Sequence, residues 1–524
     1  MPELENRHTG TIISDLAITR QTVEKKLLVL KPTSAPGPDE VHSRVLRELG
    51  RSLAYPLTLL YQRSLDTGML PAVWKLGKVV TIFKKGDKHC PGNYRPVSLT
   101  SVSCKVLESL IRDALMEHLT TYRLLSDEQH GFRPKRSCST QLLATIDAWS
   151  RMLEGGTSVE VVYLDFQKAF DSVPHKRLLY KLGCYGVAGK LLSWIEAFLS
   201  NRWQQVTIGG CQSNLVPVAS GVPQGSVLGP LLFLLYVNDL PDVVSCPVKM
   251  FADDTKLFSG VSTDSDAAAM QRDIDALVDW SDSWQMPFNK GKCKVLHVGS
   301  GNSAFSFHMS GELLESSPVE RDLGVQVDTL LKFREQAAAA IAKATRVLAV
   351  IRRSFAQIDE VTLPLLFKSL VRPHLEYGNL VWGPFNRADQ KAVERVQRRA
   401  TRLMSSIRHL EYPTRLRLLR LPSLYYRRRR GAMIHVYQML TGGVDIVASE
   451  MLTLQTGGST RGHSLKLCKP HAASRARQNS FAVRIINDWN GLPAAVVSSP
   501  SLNSFKSRLD TYWEPIWYDI PDTD

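Results

Sequence analysis

No pair of the eight cysteines is spaced as CxxC. Their positions, Cys90, Cys104, Cys138, Cys184, Cys211, Cys246, Cys293 and Cys468, fit neither a zinc site nor a small disulfide scaffold. They read as reduced thiols of an intracellular protein. The opening stretch MPELENRHTG is polar and carries no apolar leader, so secretion is not expected. The longest apolar run, Val227 to Val237, falls short of the roughly 20 residues that a membrane-spanning helix needs. No internal repeat is visible, which argues against a solenoid. Acids are scarce in one place: from Lys391 to Arg430, thirteen Lys or Arg meet only Glu394 and Glu411, a local charge of +11 within a chain of +15. A solvated helical face would account for some of this. Charge so concentrated points more strongly to a polyanion, a nucleic acid or another phosphate-rich partner. Hydrophobic residues make up 44% of the 524, enough for a sizeable core and about three domains, or fewer large ones.

The periodicities place most of the elements. VEVVYLDF is β-branched and continuous and predicts a buried strand. KVVTIFKKGD reads as a strand entering a basic turn, and WQQVTIGG and KCKVLHVG as further strands. Helices are expected after Pro174 to Gly183 and from about Gly189 to Ser200. SGVPQGSVLGP is a Gly/Pro loop opening an apolar helix to about Asp239, and DIDALVDWSDSW is amphipathic helix. In SAPGPDE, Asp39 is expected to cap the helix that follows. Beyond Ser300 comes a short β region. The helix AAAAIAKATRVLAVIRRSF follows, then a mainly helical, basic stretch to Arg430, and finally a tail with a polar segment at about 455–480.

VKMFADDTKLF sets Asp253 beside Asp254 between apolar residues. Aspartates are poor strand formers and repel each other. A tight hairpin would expose both at its tip while its strands stay buried. Asp165 ends the strand VEVVYL, and a carboxylate there is costly unless paired or liganded. Together the three suggest a divalent-cation site, with Mg²⁺ the hard, oxygen-seeking candidate. Taken singly, an Asp-Asp pair is ordinarily a solvated loop and a strand-end Asp a helix cap. Asp171 and Asp239 are read as such caps or turn formers.

These pieces occur in a particular order. IFKKGDKHCPGNYRPVSLTS and HGFRPKRSCSTQ are followed by YLDFQKAFDSVPH, SGVPQGSVLGPLLF, FADDTKLF and FNKGKCKVL. The combination strongly resembles the reverse transcriptases of LINE-type, non-long-terminal-repeat retrotransposons of the jockey-like sort. The resemblance is densest over residues 30–300 and looser through RDLGVQVD, LVRPHLEYGNLVWGP and AVRIINDWNGLP. It implies an α+β right-hand polymerase of fingers, palm and thumb, with an antiparallel palm sheet and a mainly helical, basic C-terminal part. It implies that Asp165, Asp253 and Asp254 are catalytic and bind two Mg²⁺ ions, or Mn²⁺ in their place, with the backbone carbonyl of Phe166. Phe251 stands where retroviral enzymes have Tyr. Phe170 matches the aromatic that crowds a ribose 2′-hydroxyl, and Gln224 the residue packing on the incoming nucleotide. Lys84, Lys85 and Arg95 match groups that hold the triphosphate, with the choice between the two lysines open. Lys292 matches the proton donor to pyrophosphate, and Leu323 and Gly324 the primer grip. RNA template, DNA primer and dNTPs are the implied partners. The basic arginines Arg395, Arg398, Arg399, Arg402, Arg427, Arg428, Arg429 and Arg430 suit contacts to duplex phosphates.

The expected divisions are residues 1–70 (N-terminal extension and start of the fingers), 71–155 (fingers), 156–300 (palm), 301–430 (primer grip and thumb-like region) and 431–524 (C-terminal region). No endonuclease, ribonuclease H-like segment or zinc knuckle is read in the sequence, so a polymerase fragment of a mobile element is expected. It would work in cytoplasm and nucleus as a ribonucleoprotein. An RNA-directed RNA polymerase is disfavoured by Phe170. A decayed copy that only binds nucleic acid is disfavoured by the three intact aspartates.

Overall fold

The computed structural model describes residues 2–8, 10–446, 448–455 and 462–520. Six residues of the polar segment expected at about 455–480 lie outside this set. The strands, in chain order, begin with β1 (Leu76–Phe83), β2 (Tyr94–Leu99), β3 (Val159–Leu164), β4 (Arg202–Ile208), β5 (Cys211–Gln212), β6 (Val216–Val218) and β7 (Val248–Phe251). They continue with β8 (Asp254–Gly260), β9 (Lys294–Val298), β10 (His308–Met309), β11 (Glu312–Leu313), β12 (Glu315–Ser316), β13 (Val319–Asp322) and β14 (Val325–Asp328).

β3 lies in the middle of the central sheet, whose order is β12-β9-β3-β8-β7, and it runs antiparallel to both β8 and β9. A central strand is covered on both faces, which is why its sequence is a continuous apolar run rather than an alternation. The pleat then divides its side chains. Val162 and Leu164 enter one hydrophobic core, with the helices Val102–Thr121, His175–Cys184 and Asp264–Trp284. Val159 and Val161 enter a second core, with the helix Cys138–Glu154 and the helices from Arg334 onward. The helix Gly229–Val237 is buried almost all round, matching its uniformly apolar sequence.

The second sheet pairs β1 antiparallel to β2 and parallel to β4, with β5 and β6 along β4. β4 to β6 thus join a sheet begun at residue 76 instead of the central sheet, and the expected boundary at 155 does not separate the two. The reason is topological: the chain leaves the central sheet after β3 and returns to it only at β7. The boundary at 430 also fails, because the helix Leu424–Leu440 crosses it and its buried face belongs to one core on both sides.

All eight cysteines are free. Among the described residues, no helix is long and apolar enough to cross a membrane. Asp39 does not cap the following helix, whose N-cap is His42; it accepts a hydrogen bond from Ser101 Oγ at 2.5 Å instead. Asp239 stands at the N-cap of the 3-10 helix Leu240–Val243, its carbonyl accepting the Asp242 amide at 3.1 Å, but its side chain makes no cap hydrogen bond. It is buried against Lys181 and accepts from Trp280 Nε1 at 3.0 Å, while the Lys181 ammonium lies 3.7 Å from the Trp284 ring centre. Asp171 lies within the short helix Ala169–Ser172, whose N-cap is Lys168.

Candidate active site at one end of the central sheet

Phe251 pairs with Asp254, so the β7–β8 hairpin closes through only Ala252 and Asp253. Ala252 takes the left-handed conformation, at φ +58°. A side-chain-bearing residue holds that backbone only when its surroundings fix it. Here the loop before the helix Cys138–Glu154 does so. Gln129 Oε1 accepts the amides of Ala252 and Gly131, each at 2.8 Å. The Met250 amide donates to the Glu128 carbonyl, and the Met250 carbonyl accepts from the His130 amide, both at 2.9 Å. A Cβ on Gly131 would lie 2.4 Å from the Ala252 nitrogen, so this close approach requires glycine. Gln129 and Gly131 are positioning residues that the sequence did not single out. Gly131 lies within HGFRPKRSCSTQ, which reads only as part of the resemblance, and Gln129 lies just ahead of it.

The β3–β8 register ends with Leu164 opposite Thr255, which brings Asp165 and Asp254 to the same end of adjacent strands. Asp165 Oδ2 accepts from Lys292 Nζ at 2.9 Å, and the Asp165 carbonyl accepts the Asn289 amide at 2.6 Å. Phe166 forms a one-residue bridge with Phe288, and their rings stack at 4.5 Å. That bridge uses the Asp165 carbonyl and the Gln167 amide, so the Phe166 carbonyl takes no part in it.

The electrostatics show a congested site. Desolvation pushes the Asp253 carboxyl up, and the Asp165 charge adds to this, while Arg95 and Lys292 pull it back. Asp254 is pushed up to about 6, first by desolvation, then by the charges of Asp253, Asp322 and Asp165, with Lys256 opposing. A cavity of about 130 Å³ opens beside them, lined by Asp165, Asp254, Lys256, Lys292, Asp322 and Leu323 among others.

Mutual repulsion among hard oxygen donors is what a divalent cation relieves, so the donor chemistry fits one. The side chains are not yet gathered as a ligand set. Among the described residues, no three of His, Cys, Asp and Glu are grouped closely enough to hold a metal ion, and Asp165 is turned to Lys292.

Arg95 acts on Asp253 across the site, and Lys84 acts on Asp171, whose carboxyl is raised by burial. Both Lys84 and Lys85 are exposed, and Lys84 is the one whose charge reaches Asp171. Gln224 is stitched to β2 through its carbonyl, which accepts the Ser98 amide at 2.7 Å, and its side chain reaches Asp171 at 3.4 Å. Gly225, at φ +114°, lets this contact form, since a Cβ would sit 2.3 Å from the Ser98 carbonyl oxygen. Phe170 is half-buried, stacked on Phe233 at 4.5 Å and edge-on to Phe132 at 6.4 Å. Leu323 and Gly324 form the two-residue turn of the β13–β14 hairpin, both at positive φ, with the Leu323 carbonyl accepting from Tyr377 Oη at 2.6 Å.

The basic region divides in two. On the helix Arg387–Thr401 and its C-cap, Arg395, Arg399 and Arg402 are exposed while Val393, Val396 and Ala400 face the core. Arg398 lies over the Tyr412 ring, 4.9 Å from its centre. The run Arg427 to Arg430 corrects the expectation of a face open to phosphate. Arg427 forks onto Glu376, Arg429 onto Asp488 and Arg430 onto Asp510. These are two-point charge-assisted pairs within the fold, so three of the four charges are already neutralised. Arg428 differs: its Nη1 and Nη2 are buried without a hydrogen-bond partner. The partner acids lie 51 to 80 residues away in the chain, so no local pattern could reveal them.

Residues 82–331 match the family model described as reverse transcriptase (RNA-dependent DNA polymerase). The chain is 28% identical over 410 residues to the RNA-directed DNA polymerase from mobile element jockey of Drosophila melanogaster, an alignment covering 74% of this chain and 44% of the relative. The jockey protein of Drosophila funebris gives 28% over 406 residues, with the same two coverages. The probable RNA-directed DNA polymerase from transposon BS of Drosophila melanogaster gives 28% over 404 residues, covering 72% and 43%. The chain thus spans less than half the length of these curated relatives. Residues 82–331 are thus similar to reverse transcriptases, and the chain resembles RNA-directed DNA polymerases of mobile elements.

Proposed function

We propose that the chain is an RNA-directed DNA polymerase that extends a DNA primer with dNTPs along an RNA template. The observation that carries this reading is the placement of Asp165, Asp253 and Asp254 at one end of the central sheet by the β3–β8 and β7–β8 registers, with Arg95 and Lys292 acting on Asp253 and Lys292 bonded to Asp165. In this reading the β1–β2–β4 sheet serves as fingers, the central sheet as palm and the helices from Arg334 as thumb. Asp165, Asp253, Asp254 and the Phe166 carbonyl would hold two divalent cations, Mg²⁺ or Mn²⁺ as its substitute. When bound, these ions supply activation of the primer 3′-hydroxyl and neutralisation of charge on the leaving pyrophosphate. Arg95 and Lys84 hold the triphosphate from the other side. Lys292 delivers a proton to the leaving group, which requires it to leave Asp165. Phe170 crowds the 2′-hydroxyl, and Gln224 supports the nucleotide. The Leu323–Gly324 turn seats the primer end, and the exposed Arg395, Arg399 and Arg402 follow the duplex backbone. The chain would act in cytoplasm and nucleus.

The test is primer extension on poly(rA)/oligo(dT) with and without Mg²⁺. Asp253→Asn keeps the shape but removes a charged ligand, so extension should vanish while thermal melting is retained. Extension by this variant at the wild-type rate would refute the role of the carboxylates.

A further inference from the structure

The one arginine of the 427–430 run that has no carboxylate fork opens a separate question. A charged group with buried, unpartnered donors is costly, and in a native protein it calls for a ligand or ion to explain it. Arg428 sits on the helix Leu424–Leu440 and lines a cavity of about 380 Å³, walled also by Arg429, Arg484, Asn479, Tyr425 and Phe385. The acids whose charge reaches Arg428 are Glu394 and Glu376, but Glu376 is forked by Arg427 and the Glu394 carboxylate is committed elsewhere. It accepts from Tyr412 Oη at 2.6 Å and from the amides of Leu424 and Tyr425 at 3.2 and 3.1 Å.

Arg484 adds a second positive charge that no carboxylate balances. Its guanidinium donates to the backbone carbonyls of Gly383, Asn379 and Leu380. Burial, and then the charge of Arg428, push its pKa down to about 10, so the two cations feel each other. Arg429 is held by Asp488, the acid in the cavity wall. Among the residues lining the cavity, Arg428, Arg429 and Arg484 outnumber the one acid, Asp488; Glu394 and Glu376 act on Arg428 from behind the wall but offer it no hydrogen bond, which leaves its donors free for an anion.

Two further observations narrow the anion. Tyr425 and Phe385 line this cavity and also the adjoining cleft of about 920 Å³, where Arg387, Arg417 and Tyr518 continue the cations and rings beside two acids, Glu514 and Asp519. Rings alternating with cations along a groove suit bases that stack and phosphates that pair. Duplex bases are stacked on one another and offer no free faces to such rings; a single strand does.

We propose that the cavity around Arg428 and Arg484 binds a backbone phosphate of a single strand of nucleic acid, with Tyr425 and Phe385 stacking the adjoining bases. This is a second nucleic-acid site, built from the C-terminal helices and separate from the carboxylate end of the central sheet. It does not depend on polymerase activity.

The test uses the full chain in chelator, with a labelled oligouridylate as probe and no primer. Arg428→Met removes the buried charge and keeps the length. It should weaken binding by about tenfold and make the salt slope shallower by about 0.7, the value for one phosphate of a single strand. Tyr425→Leu, at a residue that still reaches solvent, should weaken binding by a similar factor through lost stacking, and it decides the matter alone if Arg428→Met does not fold. Wild-type affinity in Tyr425→Leu, and in Arg428→Met where that variant folds, would overturn the proposal. So would a chain that inorganic phosphate protects against melting in an Arg428-dependent way while oligouridylate affinity stays the same in both variants, since that outcome marks a free-anion site. Asp253→Asn should bind oligouridylate as wild type does while failing to extend primers, so that failure of this site and failure of the polymerase reading give different results.

Discussion

Beneath the carboxylates, Lys256 and Asp322 form an ion pair with side chains only 2% and 5% exposed. Lys256 also donates to Gln141 Oε1 at 3.1 Å, and Tyr163 Oη donates to Asp322 at 3.4 Å. Burial pulls the Lys256 pKa down, and Asp322 opposes that pull. The pair joins β8, one residue past Thr255, to the residue just before the Leu323–Gly324 turn. Lys256→Met would leave Asp322 buried with little more than a long hydrogen bond from Tyr163. Removing one partner of such a pair strands a charge and costs about 3–5 kcal/mol, far more than the ~0–1 kcal/mol of an exposed pair. Asp322→Leu should cost a similar amount by stranding the ammonium. The double variant Lys256→Met/Asp322→Leu strands neither, and should recover most of the loss apart from the share due to Gln141. The assay is urea unfolding of the four proteins in chelator, closed as a double-mutant cycle. The reasoning fails if either single variant loses less than about 1 kcal/mol, or if the double variant loses the sum of the two singles.

Four further outcomes follow from the geometry. Phe170→Ala should raise ribonucleotide use relative to deoxynucleotide use. It should also cost on the order of 2 kcal/mol of stability by emptying the stack on Phe233; an unchanged dNTP/NTP ratio would make Phe170 a packing residue alone. Arg430→Gln should destabilise by about 1.5–3 kcal/mol through its Asp510 pair and leave the salt dependence of RNA–DNA hybrid binding unchanged. Arg399→Gln/Arg402→Gln should instead make that slope shallower by about 1–2 at little cost in stability, so a slope that moves for Arg430 and not for these two would reverse the assignment. His435 is buried edge-on to Phe481, and burial holds its pKa down to about 4. The unfolded chain takes up that proton near pH 6.5, so the folded state loses stability as pH falls from about 6.5 to about 4. His435→Phe should flatten the decline by one proton; an unaltered slope in unfolding experiments across that range would show that His435 titrates normally in the fold.

What the sequence determined by itself was local or periodic. The continuous apolar run of β3, the presence of a hairpin near Asp253, though its turn is Ala252–Asp253 rather than the two aspartates, and the uniformly apolar helix Gly229–Val237 are legible because strand burial and turn length act over a few residues. The register of β3 with β8 brings Asp165 and Asp254, singled out in the sequence by their apolar flanks, to the same end of the central sheet. Only the tertiary structure decided the rest. β4 left the expected palm for the sheet of β1 because strand partnership is a long-range choice that a single strand's pattern does not encode. The left-handed Ala252 is held by Gln129 from more than a hundred residues upstream. Arg427 to Arg430, four identical side chains in a row, have two different fates. On a helix successive residues point in different directions, so three meet carboxylates brought by other helices and Arg428 points into a cavity. Charge density is readable along a chain; whether that charge is already neutralised depends on which acids the fold carries to it.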